Sequence, residues 1–253
     1  MKKKYKRILA GLGAIILILV IFFVGYLLKA RSIMKGMTTT ETMEIVKNVI
    51  SIKDSFVNIY LVKNGENYIA IDAGNTKDNI QQELKKLTID PAKVDAVLLT
   101  HSDGDHVAGI SLFKNAGVYF SQQEEQMING GKSRFFIFGN KIEAEEYRLI
   151  ADKQILTIGN IKIQGLLTPG HTPGSICYLV NDTLLFTGDA LRLKQGKVDK
   201  FYNFFNMDTE TAIQSINKII HIPGVRYIFT AHNGFTDNWN DAIKDWNGNA
   251  AGN

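Results

Sequence analysis

The sequence predicts an α+β domain of two β-sheets with outer helices, carried behind a single N-terminal membrane helix. Three observations predict this. Short apolar runs of strand length follow one another through the chain, interrupted by stretches of helical periodicity. Four of those runs lead directly to a histidine or an aspartate. One uncharged stretch near the N-terminus is too long for a strand or an ordinary core helix.

Residues 8–28 are 21 uncharged, mostly apolar positions. At about 1.5 Å per residue they reach across a hydrocarbon core of about 30 Å. Lys2, Lys3, Lys4, Lys6 and Arg7 precede the stretch, and Lys29, Arg31 and Lys35 follow it. The larger charge on the N-terminal side sets the N-terminus in the cytoplasm and the following domain outside, as a single-pass protein of the cell membrane. A cleaved secretory signal is the alternative; its apolar region usually runs to about 7–15 residues, and Leu28-Lys29-Ala30 is a poor cleavage site. These eight cations sit in a segment without acids, so the remainder of this chain of formal charge +4 is net acidic. That removes the case for a nucleic-acid surface. The expected organisation is a basic stub and anchor over residues 1–31, a polar linker over 32–42 and one domain over 43–253.

Within the domain, residues 43–51, 56–62 and 68–71 read as strands, with a turn at Lys63-Asn64-Gly65. A helix is expected over 76–87, then a buried strand over 94–99, a helix over 106–115, a strand over 118–121 and a helical stretch over 122–128. Strands follow over 155–158, 161–167, 176–180 and 183–187, with hairpin turns at Asn160 and at Asn181-Asp182. Ala212, Ile213, Ile216, Ile219 and Ile220 form a helical stripe over 209–222, and 225–229 is the last strand.

The chemistry gathers where strands end. Val94–Leu99 runs into Thr100-His101-Ser102-Asp103-Gly104-Asp105-His106. Leu166-Leu167-Thr168 leads through Pro169-Gly170 to His171, Leu184-Leu185-Phe186-Thr187 through Gly188 to Asp189, and Tyr227-Ile228-Phe229-Thr230 through Ala231 to His232. Strand ends at one rim of a sheet can converge on a point, and imidazole and carboxylate are ligands for Zn²⁺ and its first-row neighbours. Seven donors exceed one tetrahedral site, so two adjacent ions fit better. A pair of ions about 3.5–4 Å apart activates a water and polarises a carbonyl or phosphoryl oxygen. Asp105 is the candidate catalytic residue, orienting the nucleophile and managing a proton. Asp72, ending the run Tyr68-Ile69-Ala70-Ile71, is expected to be partly buried and in need of partners. His221, in an apolar run, reads as structural, and Cys177, within Ile176–Val180, as a buried strand residue.

Taken in order, these motifs resemble the metallo-β-lactamase superfamily over about residues 45–235. Val57–Val62 with Tyr68–Gly74 is similar to its first hairpin, His101-Ser102-Asp103-Gly104-Asp105-His106 stands at its His-x-His-x-Asp-His signature, and Thr168–Ser175, Phe186–Asp189 and Thr230–His232 match its later motifs. The resemblance implies a four-layer αββα sandwich with the site at one edge. It implies His101, Asp103 and His171 on one metal, Asp105, His106 and His232 on the other, Asp189 bridging, and Asp72 supporting the metal loop; for Asp72 a turn-capping role before Ala73-Gly74 is equally open. Asp103 stands where most members have histidine, and a hard anionic donor there favours Mn²⁺ or Fe²⁺ relative to an all-imidazole shell. The expected cofactors are two divalent ions, Zn²⁺ first, with Mn²⁺ or Fe²⁺ admitted by Asp103.

The expected activity is hydrolysis of a small ester, lactone, thioester or phosphodiester. A short tail after His232 sets aside the glyoxalase II arrangement with its helical substrate domain, and Asp189 at the bridging position points away from the commonest true β-lactamases. A di-iron redox protein of the oxygen or nitric oxide reductase type, and a non-catalytic metal-binding ectodomain, are the alternatives. Two segments are candidates for substrate choice: residues 190–207, which mix cations with aromatics, and Gln126–Gly139, readable as a flap or a hairpin.

Overall fold

The computed structural model describes residues 2–134 and 139–248, in two compact units that divide between Met37 and Thr38. The Phe135-Phe136-Ile137-Phe138 part of the expected flap or hairpin lies outside the described residues. The first unit is helix α1 (Lys2–Met34), and within its stretch Leu9–Met34 an 18-residue window reaches a mean hydropathy of 2.8. Its apolar side chains point outward on every side, so the helix has no polar face to offer water.

The second unit opens with β1 (Met43–Val46), β2 (Val49–Asp54), β3 (Val57–Asn64) and β4 (Asn67–Ile71) in antiparallel succession. Where the sequence suggested one strand over 43–51, the chain turns back at Lys47-Asn48. Asn48, at φ 69°, takes the left-handed conformation that a tight turn needs and that Asn tolerates. Helix α2 (Lys77–Lys86) then carries the chain across to β5 (Val94–Leu98), parallel to β4. Its first turn is capped from outside: buried Asp54 accepts from the Asn75 and Thr76 backbone N–H groups at 2.7 and 2.6 Å. Two more parallel strands, β6 (Gly117–Ser121) and β7 (Tyr147–Ile150), complete a seven-stranded sheet.

Antiparallel β8 (Ile155–Ile158), β9 (Ile161–Leu167), β10 (Ile176–Val180) and β11 (Leu184–Gly188) form the second sheet, which β14 (Tyr227–Thr230) and β15 (Phe235–Thr236) extend. The turn between β10 and β11 has Asn181 and Asp182 at φ 47° and 58°, which suits a tight hairpin. The connection from β11 to β14 holds a small hairpin of β12 (Leu191–Lys194) and β13 (Lys197–Lys200), then helix α5 (Thr209–Ile219). Helix α6 (Trp239–Ile243) follows β15.

Three apolar layers make these elements a four-layer αββα sandwich. The outer face of the first sheet packs Ile52, Leu61 and Val97 against Ile80 and Leu84 of α2. Between the sheets, Ile69, Ile71 and Leu98 meet Tyr178, Phe186 and Phe229. On the far side, Leu185 and Ile228 pack against Ile216 and Ile219 of α5 and Trp239 of α6. The middle layer holds the fully buried rings of Tyr178, Phe186 and Phe229, and Phe186 and Phe229 stack at 4.6 Å. Truncating either ring there costs about 3–5 kcal/mol.

Parallel pairing positions the site. β4, β5 and β6 run the same way in one sheet, as do β11 and β14 in the other. Their C-terminal ends are therefore brought to one edge of the sandwich, where hydrogen bonds from Ile176 N to Thr100 O (2.9 Å) and from the Tyr60 hydroxyl to Thr230 O (2.7 Å) join the sheets.

A candidate metal centre at the edge of the sandwich

The loop after β5 is held from below before any donor is placed. Asp72, at φ 63° directly after β4, accepts from Thr100 N at 2.7 Å and from the Thr100 hydroxyl, and its other oxygen lies 2.9 Å from His106 Nδ1. Of the two roles open for Asp72, its contacts are with the metal loop. Glu124, fully buried, accepts from Ser102 N at 2.8 Å, the Ser102 hydroxyl at 2.6 Å and the Thr172 hydroxyl at 2.6 Å, tying the β5 loop to the loop that carries His171. Gly174 allows this approach, since a Cβ there would lie 2.0 Å from Glu124 N.

Beyond Gly104 the chain departs from the expected helix over 106–115. It makes one short turn, α3 (Gly104–Val107), and a 3₁₀ turn at Ile110–Leu112. Gly109 N bonds Ala73 O, and a Cβ at Gly109 would stand 2.6 Å from that oxygen. The close passage over the end of β4 ends the helix. The helical stretch expected over 122–128 is likewise shortened to α4 (Glu125–Ile128), preceded by a turn in which Glu124 N donates to Ser121 O at 3.0 Å.

All seven predicted donors come together. His101, Asp103 and His171 form one group whose ligand atoms lie within 4.8 Å of one another; Asp105, His106 and His232 form a second; His101, His106 and Asp189 form a third across the two. Asp189 Oδ2 is 3.4 Å from His171 Nε2, and its Oδ1 is 3.2 Å from His232 Nε2 and 3.7 Å from His106 Nε2. Asp105 Oδ2 is 3.5 Å from His232 Nε2. The backs of the rings are committed elsewhere: His106 Nδ1 faces Asp72, and His232 Nδ1 donates to Phe56 O at 2.6 Å. Each such bond fixes the tautomer and turns the Nε2 lone pair inward. His106 Nε2 and Asp189 Oδ1 are buried with no hydrogen-bond partner, an arrangement a cation would satisfy. Both donor chemistry and orphaned atoms fit a divalent ion among Asp105, His106, His232 and Asp189.

Charge follows geometry. Burial opposes ionisation of His106, but the Asp72, Asp105 and Asp189 carboxylates outweigh it and push its pKa up to about 10. His232 is raised in the same way by Asp189 and Asp105 against burial. Despite its own burial Asp189 is held far below the usual carboxylate range by His232, His106 and His171. His171 goes the other way, pulled down to about 4 by burial and the Arg134 guanidinium.

Sequence reasoning missed Arg134, Asn140 and Glu124. Arg134 Nη2 is 2.7 Å from Asp103 Oδ2 and its Nε donates to Asp103 Oδ1 at 3.0 Å; Asn140 Nδ2 donates to the same Oδ1 at 3.0 Å. A cation in the glycine-rich run 130–139, which also holds Lys132, was the one available signal for Arg134. Residues 190–207 both pack and reach the site: Phe201 is buried and sets its ring 5.1 Å from His171 and 5.7 Å from His232. His221 is exposed, its Nδ1 donating to Asn217 O, and Cys177 is buried, its thiol pushed up to about 12 by burial.

Residues 52–232 match the metallo-beta-lactamase superfamily model, and the chain belongs to that superfamily. It is a metallo-hydrolase of that fold. A probable metallo-hydrolase of Methanocaldococcus jannaschii is 31% identical over 163 residues, covering 63% of this chain and 68% of the relative. A probable polyketide biosynthesis zinc-dependent hydrolase of Bacillus subtilis is 38% identical over 116 residues, 43% of this chain and 46% of the relative. Among solved structures, a Cronobacter sakazakii metallo-beta-lactamase with a HARLDQ motif superposes with a TM-score of 0.62 at 20% identity, over 79% of this chain and 81% of that one.

Proposed function

We propose that this chain is a membrane-anchored hydrolase that uses two divalent ions, Zn²⁺ first, on a small ester, lactone, thioester or phosphodiester. The observation that carries the reading is the convergence of His101, Asp103, Asp105, His106, His171, Asp189 and His232, with His106 Nε2 and Asp189 Oδ1 buried and unpartnered. His101, Asp103 and His171 would hold one ion and Asp105, His106 and His232 the other, with Asp189 placed between the two groups. When bound, such a pair would supply an acidified water and a polarising charge for a carbonyl or phosphoryl oxygen. Asp105, partly exposed beside His232, would orient a water there and take up its proton. Asp72 and the Phe56 carbonyl hold the His106 and His232 rings so that no reorientation is needed when substrate arrives. Phe201 walls the site and keeps bulk water from the imidazoles.

Helix α1 is the anchor in this proposal, with the N-terminus in the cytoplasm and the hydrolase domain outside. The Bacillus subtilis relative is named a probable zinc-dependent hydrolase, which supports Zn²⁺ as the first ion to try. The test is full-length protein purified in detergent, its metal content measured and its hydrolysis of ester, thioester and phosphodiester substrates assayed before and after chelation. Activity lost with the metal and restored by Zn²⁺ or Mn²⁺ supports the proposal. Iron as the resident metal with oxygen consumption, or a metal-free protein without hydrolysis, refutes it. Protease accessibility of the domain in whole cells tests the orientation.

A further inference from the structure

The two halves of the candidate centre differ in one respect that the family motif does not carry. Among Asp105, His106 and His232 the described residues place no arginine or lysine in ion-pair contact. Among His101, Asp103 and His171 they supply Arg134. Its Nη2 lies 2.8 Å from His171 Nε2 and 2.7 Å from Asp103 Oδ2, two of the three atoms that define that triad. His101 Nε2 is close behind, 3.1 Å from His171 Nε2 and 3.5 Å from Asp103 Oδ2. The guanidinium is anchored on three further sides, by Nε on Asp103 Oδ1 at 3.0 Å, Nη2 on His171 O at 3.0 Å and Nη1 on Phe205 O at 2.5 Å.

An imidazole nitrogen has one lone pair. When His171 Nε2 accepts from Arg134 it has none left for a metal, and a fixed guanidinium beside a divalent ion adds repulsion between like charges. Occupation of this triad by Arg134 and by a metal therefore exclude each other. Asp103 is what makes the competition effective, because a carboxylate there gives the fork of Arg134 an anion to grip with two parallel bonds. A histidine in its place has no such pair of acceptors.

We propose that Arg134 is a built-in competitor for the first metal position, so that the ions bind unequally and in order. The Asp105–His106–His232 triad fills first and tightly; the His101–Asp103–His171 triad fills only as Arg134 withdraws. This inference rests on the metal-centre reading above.

The test is calorimetric titration of Zn²⁺ into metal-free full-length protein in detergent, with Arg134→Ala and Arg134→Gln beside the parent. The parent is expected to bind one ion tightly and a second more weakly. Each variant is expected to bind the second ion about tenfold or more tightly, the scale of one charge-assisted hydrogen bond, with the first ion unchanged. Thermal melting separates competition from simple bracing. Loss of Arg134 should lower the midpoint of the metal-free protein and leave that of the two-ion protein in place. Equal or weaker second-ion affinity in both variants, or an equal loss of midpoint with and without metal, overturns the proposal while leaving the metal centre standing. No tight ion in the parent overturns the metal centre as well.

Discussion

The two triads of the candidate centre are made from the same kinds of donor, yet they are held in opposite electrostatic states. Around His106 three carboxylates outweigh burial and draw protons onto the ring; around His171 burial and a guanidinium drive them off. One half therefore attracts a cation that can be exchanged, proton or metal ion, and the other already holds a fixed one. Two chemically similar ligand sets on one fold edge need not have similar appetites for a cation. Their difference is set by side chains outside the motif, Asp72 on one side and Arg134 on the other.

The most severe way to break the comparison is to remove what the halves share. Asp189→Ala is expected to abolish tight binding of both ions and to lower kcat/KM on the order of a thousandfold or more, the several kcal/mol that metal polarisation supplies; metal analysis with steady-state kinetics checks this. Removing one ring from each half sharpens the contrast. His106→Ala should cost the tight ion, whereas His171→Ala should cost only the weaker one, and titration calorimetry reads the two losses separately. A milder change acts through orientation: Asp72→Asn leaves every proposed ligand in place but weakens the grip on His106 Nδ1. Its expected effect is a fall of about 10–100-fold in affinity at the second triad, with the first triad unaffected.

The smallest expected effects are in pH dependence, where the halves have opposite signs. In the metal-free protein the His106 pKa of about 10 lies above its ordinary value of about 6.5, so its stabilising contribution is complete below pH 6.5 and is lost as pH rises through about 10. The His171 pKa of about 4 lies below the ordinary value, so protonation costs stability as pH falls from about 6.5 to 4. Melting curves of metal-free protein should decline on both sides. His106→Gln should weaken the alkaline decline and leave the part that His232 contributes, His171→Gln should remove the decline between pH 6.5 and 4, and saturating Zn²⁺ should suppress the alkaline decline, since the ion replaces the proton.

Much of this was legible from residue order. The donors follow buried strands whose C-terminal ends the parallel pairs β4–β5 and β11–β14 bring to one edge, so apolar runs leading to His101, Asp189 and His232 carried the architecture of the centre. The β10–β11 turn was readable because Asn181-Asp182 is turn chemistry. What escaped lacked local pattern. Strand β7 is four residues with exposed Tyr147 and Arg148, and β12–β13 turns only Leu191, Leu193 and Val198 inward, an alternation too short to stand out among its charges. The helix over 106–115 failed because Gly109 passes too near the Ala73 carbonyl, a tertiary contact that no window of sequence contains. Arg134 and Glu124 meet Asp103 and Ser102 across gaps of 31 and 22 positions, and no spacing rule links them.

Anomalous X-ray scattering from crystals of the protein grown with limiting Zn²⁺ tests the central claim most directly. The account predicts a strong peak bounded by Asp105, His106, His232 and Asp189, and a weaker one or none beside His101, Asp103 and His171, with Arg134 still in contact there. Equal peaks in both positions at limiting metal would contradict the inequality of the two halves, and no peak at the cluster would contradict the metal centre itself.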